Sequence, residues 1–144
     1  MKELEYPFDS SFLLQKRRKL KKALLADGSA RMEKRIAVLG GSTTNDIVSM
    51  LELFLLNCGI QPVFYQSEYA QYWQDAMFDA PELAAFQPDL IFIHTTSRNI
   101  TEAPLPLSAS EQEVQDALER QYTHFTQMWE HLAATYHCPI LQNN

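Results

Sequence analysis

With 144 residues, 46% of them hydrophobic and 11% aromatic, the chain is long enough for one domain and too apolar to stay disordered. No apolar run reaches the roughly 20 residues of a membrane span, the acid-bearing N-terminus has no signal-like h-region, and Cys58 and Cys138 form neither a disulfide framework nor a CxxC pair, so the cytoplasm is the simplest expected location. The formal net charge of −6 divides into +5 over residues 1–35 and −11 over residues 36–144, and so acidic a body excludes nucleic acid as a general partner.

Residues 11–25 read as a helix, with Ser10 or Ser11 as its cap and Phe12, Leu13, Leu20, Leu24 and Leu25 as a partial apolar face. Residues 16–22 of it hold half of all Lys and Arg. A solvated face docked on the acidic body accounts for such a run. The functional alternative is contact with an acidic partner such as a carrier protein. Ala26-Asp27-Gly28-Ser29 ends the helix, so residues 1–34 form an N-terminal helical extension and residues 35–144 the main domain.

Arg35-Ile36-Ala37-Val38-Leu39 is a short apolar run stopped by Gly40-Gly41, as a buried parallel strand would be. Thr44 to Cys58 follows as a helix carrying Ile47, Leu51, Phe54 and Leu55 on one face, with Gly59 placed as its C′ residue. Pro62–Tyr65 reads as a second strand, residues 67–86 as locally helical, and Asp89–His94 as a third strand. After a loop with Pro104 and Pro106, Ser108 or Ser110 caps a long helix to about Tyr136. Its stripe is Val114, Leu118, Tyr122, Phe125, Trp129, Leu132 and Tyr136, and Pro139-Ile140-Leu141 is the last strand.

This alternation predicts an α/β domain, a doubly wound and mostly parallel sheet of about four strands covered on both faces. Ligands bind outside the carboxyl ends of such strands. Those ends are Gly40-Gly41-Ser42-Thr43-Thr44-Asn45, the loop after Tyr65, His94-Thr95-Thr96-Ser97-Arg98-Asn99, and Gln142-Asn143-Asn144. The two glycines permit a tight turn and close backbone approach, and free N–H groups at a helix start hold anions or oxyanions. The plainer alternative is that Ser42 through Asn45 only cap the helix. In the second cluster Asn99 either donates to an oxyanion or satisfies backbone groups. Arg98 is suited to a carboxylate or phosphate, and His94 reads as a packed strand-end histidine.

Gly-Gly-Ser after the first strand, with an Asn in the loop after the third, resembles the SGNH-hydrolase pattern. Longer stretches resemble the N-terminal domain of FkbH-like proteins: Tyr6–Ser10, Ala37–Asn45, Leu51–Leu55, Phe64–Tyr69, Asp75–Phe78, Ile93–Ile100 and the closing Gln142-Asn143-Asn144. The resemblance implies a flavodoxin-like, SGNH-hydrolase-like fold in a larger parent protein. There, a haloacid-dehalogenase-type domain that uses Mg takes a glyceryl group from a phosphoglycerate and passes it to an acyl-carrier protein in polyketide-type pathways. Other members belong to surface-polysaccharide biosynthesis. By the same resemblance Ser42 matches the nucleophile and Asn99 the oxyanion donor, with Gly40, Gly41, Thr43, Thr44, Asn45, His94 and Arg98 around them.

The chain departs from that pattern in four ways. Gly-Asp-Ser is Gly40-Gly41-Ser42, the second-block glycine has no counterpart, no Asp-x-x-His block occurs, and Asp-x-Asp-x-Thr is missing. An alcohol without a base is a weak nucleophile. The chain is therefore expected to be part of a multidomain protein, with no cofactor of its own. Its partners are expected to be a carrier protein and a C-terminal catalytic domain. It would serve carrier or acyl recognition, the enzymatic alternative being a serine esterase or acyltransferase that uses Ser42.

Overall fold

The computed structural model describes residues 1–143. In chain order the elements are α1 (Ser10–Ala26), β1 (Met32–Gly40), α2 (Asn45–Asn57), β2 (Ile60–Gln66), α3 (Tyr72–Met77) and α4 (Pro81–Phe86). They are followed by β3 (Leu90–His94), α5 (Glu111–Tyr136) and β4 (Ile140–Gln142). Short 3₁₀ turns occupy Lys2–Leu4 and Ser97–Asn99. The strands form one parallel sheet in the order β2-β1-β3-β4, and the fold is a flavodoxin-like, doubly wound α/β sheet. No helix is long and apolar enough to cross a membrane among the described residues.

Strand alternation sends successive residues of β1 to opposite faces. Ala37 and Leu39 join Ile91, Ile93, Tyr72, Ala76, Leu83, Met128 and Leu132 in the larger core, under α3, α4 and α5. Ile36 and Val38 join Val48 under α2, with Phe64, Leu90 and Phe92 packed around them. A third cluster lies one layer further out, where Leu13, Leu20 and Leu24 of α1 meet Leu53 and Leu56 of α2. β2 is an edge strand, which is where Pro62, having no N–H to give a ladder, is tolerated.

Several boundaries differ from those read in the sequence. The first strand begins at Met32, three residues before the apolar run, because Met32–Lys34 already pair with Ile60–Pro62 while remaining poorly covered. α1 is capped by Asp9, whose Oδ1 accepts the Phe12 N–H at 3.0 Å, and not by Ser10 or Ser11. At α5 the choice falls on Ser110, which forms a reciprocal capping box with Glu113. Gly59, at φ +79°, takes the left-handed C′ position after α2. The apolar stripe of α5 divides in two. Trp129 and Leu132 reach the core, whereas Val114, Leu118 and Tyr122 are 42%, 61% and 65% exposed, since among the described residues no helix or strand packs on that half of the helix, and the loop after Ser97–Asn99 covers it only in part.

The basic run turns one flank toward the body. Arg17 binds Asp46 at 2.6 Å and Lys21 binds Glu52 at 2.8 Å, so α1 is tied to α2 by charge as well as by leucines. Arg31 closes the layer. Its guanidinium donates to the Leu24 carbonyl (2.6 Å) and its Nε to the Leu56 carbonyl (3.1 Å). These carbonyls lie in the last turns of two different helices, where a cation adds a bond to the exposed acceptors; that of Leu56 also takes the Gly59 N–H at 3.2 Å. Leu13→Ala, at a fully buried site, should lower the stability of the whole domain by about 2–5 kcal/mol. Urea unfolding followed by α/β circular dichroism and by tryptophan fluorescence should give one coincident, shifted transition. An unshifted tryptophan transition would show that α1 folds apart from the sheet.

Candidate functional site

β1 connects through α2 to β2 on one side, and the chain then crosses to β3 on the other. The carboxyl ends of β1 and β3 therefore flank the point where strand order reverses, the crevice in which open α/β sheets bind ligands. Gly40 pairs with His94 across that point, and the two polar loops of the sequence leave from these residues.

The loops are fastened to one another. The Gly41 N–H donates to the His94 carbonyl at 2.8 Å. Asn99 Nδ2 donates to the Gly41 carbonyl at 3.1 Å, while its Oδ1 accepts from the Thr96 N–H at 2.8 Å. A Cβ on Gly41 would lie 2.4 Å from both Asn99 amide heteroatoms, so glycine is needed for this approach rather than for an unusual φ. A Cβ on Gly40 would meet Thr44 Cγ2 at 2.6 Å and the Ser42 carbonyl at 2.9 Å. From the β2 side, Ser67 Oγ accepts the Gly40 N–H at 2.8 Å. From the β4 side, Asn143 grips Thr95 through both amide atoms, its Oδ1 accepting and its Nδ2 donating at 2.8 Å each. Gln142 bridges Thr95 Oγ1 (3.0 Å) to the Trp129 indole N–H (2.6 Å).

Each residue singled out in the sequence has a definite place here. Ser42 is half-buried between Gly41 and the helix start, while Thr43 and Asn45 are exposed. Thr44 is the first flanking residue of α2 and is buried, but its hydroxyl donates to Gln66 Oε1 at 3.3 Å instead of capping the helix. His94 is half-buried with its ring 6.3 Å from that of Phe92. Arg98 is exposed, and its main-chain N–H donates to Thr96 Oγ1 at 3.3 Å. Asn144 lies outside the described residues. Sequence reasoning named Thr95, Thr96 and Ser67 only as members of the strand-end loops and gave them no role of their own. Their signal was position alone, since each follows the carboxyl end of a strand.

Chemically, Asn99 spends one N–H and its oxygen on holding the loops, which leaves a second N–H for a ligand. No hydrogen bond joins Ser42 to a histidine among the described residues, and no three of their His, Cys, Asp or Glu side chains cluster to hold a metal ion. An acidic rim borders the β2 side. Asp75 accepts the Tyr65 O–H at 2.9 Å. Burial raises the Asp75 carboxyl above the usual range, the Tyr65 bond opposes this, and Glu68 and Glu82 add to it. Burial, and then the bond to Asp75, raise the Tyr65 phenol as well.

The fold and the crevice thus define an open parallel α/β domain with a braced switch point. No known family model and no curated protein matches the chain. Among solved structures it is similar to the N-terminal part of the protein BF1531 from Bacteroides fragilis, described as containing a phosphatase domain and complexed with Mg. The TM-score is 0.66 at 18% identity, over 89% of this chain and 32% of that one. The likeness is one of fold, and the chain spans about a third of that protein's crystallised length.

Two outcomes test the site. Gly41→Ala should cost about 1–3 kcal/mol by expelling the Asn99 amide. In an Asn99→Ala background the same change should cost roughly 1 kcal/mol less, a coupling read by a double-mutant cycle in urea. Additive losses would mean that the two residues do not press on each other.

The raised Asp75 carboxyl implies a contribution to stability that is present below its unfolded value, about 3.9, and lost as pH rises through its folded value. Asp75→Asn keeps an acceptor for Tyr65 without the charge. Its urea midpoint should exceed that of the parent at pH 7, and the gap should close toward pH 4.

Proposed function

We propose that this chain is the N-terminal SGNH-like domain of a cytoplasmic FkbH-like protein. In this reading the parent loads a glyceryl-type unit from a phosphoglycerate onto an acyl-carrier protein, and the present domain recognises the carrier or its acyl group. Mg²⁺ and the transfer chemistry belong to a haloacid-dehalogenase-type domain elsewhere in the parent.

The observation that carries this reading is the Arg17–Asp46 bond. Asp46 lies in the first turn of α2, a few residues beyond Ser42. The bond therefore sets the basic helix α1 beside the crevice. While Arg17 and Lys21 face the body, Lys16, Arg18, Lys19 and Lys22 lie on the exposed flank of α1 without carboxylate partners among the described residues. An acidic carrier held on that flank would have its acyl end next to Gly41, Ser42 and Asn99. Oppositely charged faces of this kind steer encounter and set orientation. The polar groups of the crevice are mostly engaged in bracing loops, which suits a rigid recognition surface better than a serine nucleophile.

Titration of the full-length parent with an acyl-carrier protein should give saturable binding that weakens steeply with salt. Reversing Lys16, Lys19 and Lys22 to Glu should weaken it about tenfold or more, whereas Ser42→Ala should leave it unchanged. No binding at low salt would overturn the carrier assignment. Fluorophosphonate labelling of the parent that disappears in Ser42→Ala would instead establish a serine esterase or acyltransferase.

A further inference from the structure

We infer that the groove between the 3₁₀ turn Ser97–Asn99, the loop that follows it and the N-terminal half of α5 binds a single-chain amphiphile with a carboxylate head. This groove borders the Ser42 crevice through the turn that carries Asn99, and its binding of an amphiphile does not depend on the carrier reading.

The groove encloses about 670 Å³, within the range of small-molecule sites. Its walls are apolar. Ile100 (54% exposed) and Leu105 (41%) on the loop face Val114 and Leu118 on the helix, over a floor at Ala117. Val114 and Leu118 are one turn apart on a single helix face, so together they present a continuous apolar strip to water. An aliphatic chain laid along that strip would remove it from solvent.

The charge at the groove is equally specific. Residues 36–144 contain only two cations, Arg98 and Arg120. Arg120 is committed to Glu102, with Nε at 3.1 Å from both carboxylate oxygens and an Nη at 2.8 Å from one. That pair also holds the one carboxylate of the groove lining, which depresses the Glu102 carboxyl. Arg98 also lines the groove, and its guanidinium has no carboxylate partner among the described residues. In a body of this acidity, an unpaired guanidinium beside an apolar trough matches an anionic head on an apolar tail. A fully polar ligand would leave the walls bare, and a neutral lipid would leave Arg98 unused.

A third feature lies in the lining. Gln121 Oε1 accepts from the Thr101 N–H at 2.8 Å, the Thr101 hydroxyl at 3.1 Å and the Glu102 N–H at 3.3 Å. Its Nε2 is buried with no acceptor. Buried donors are normally paired, so this one marks an unmet polar need beside the groove.

The test is amide NMR of the intact chain titrated with decanoate below its micellar concentration, with decanol as the uncharged control. Saturable shifts should concentrate at Arg98–Leu105 and Val114–Gln121. Arg98→Gln should weaken decanoate about tenfold and leave decanol unchanged. Leu118→Glu should abolish both, with the circular dichroism spectrum intact. Equal affinity for decanol and decanoate would overturn the proposal, as would shifts centred on α1. Unsaturable shifts spread over Phe78, Leu107 and Tyr122 would overturn it by showing general detergency. A concentration-dependent dimer removed by Leu118→Glu would give the groove to a second copy of the chain. Failure of the acyl-carrier titration would leave all of these readouts untouched.

Discussion

A parallel strand lies on each side of β1, and its residues Ile36 to Gly40 are all buried, so one short segment has to serve two cores. Even positions pack under α2 and odd positions under α5. A one-residue slip would exchange the two sets and leave neither core filled. This register also fixes where the chain emerges. Gly40 arrives opposite His94, and the next residue must pass within contact distance of the Asn99 amide. The crevice is thus a consequence of how the central strand is wedged between its neighbours.

Outside that wedge the molecule is layered by charge. The acidic body would repel itself if its surface were left unbalanced. α1 lays part of its positive charge against α2, and its remaining lysines and arginine stay in solvent. Exposed pairs of this type contribute little to stability, of order 0–1 kcal/mol each. The leucines of α1 and the Arg31 staple therefore hold the layer in place, while the ion pairs set its orientation. Arg31 shows only 8% of its side chain to solvent and satisfies carbonyls of two helices at once.

How much of this was legible in the sequence depended on how local each cause was. The strands, the long helix and the crowding of polar residues at strand ends follow from periodicity and from Gly40-Gly41 and Gly59, which act over a few residues. The Ser110–Glu113 box is equally local, although it competed with Ser108. What could not be read depends on partners far apart in the chain. Nothing near Asn143 in sequence indicates that its amide will hold Thr95, and nothing near Arg31 indicates the Leu56 carbonyl. The spacing of Val114, Leu118 and Tyr122 looked like core, but periodicity reports a face and not whether anything covers it. At Ser42 the motif gave the position, whereas the use of Asn99 as a brace emerged only from the contact with Gly41.

Pro62 has a bearing on behaviour in concentrated solution. An edge strand exposes a row of unpaired amides that another chain can adopt as a template. Pro62 interrupts that row in β2. The β2 border of this sheet therefore offers little for a foreign strand to extend. That border can stay exposed without inviting fibrillar growth, a protection built from one imino acid.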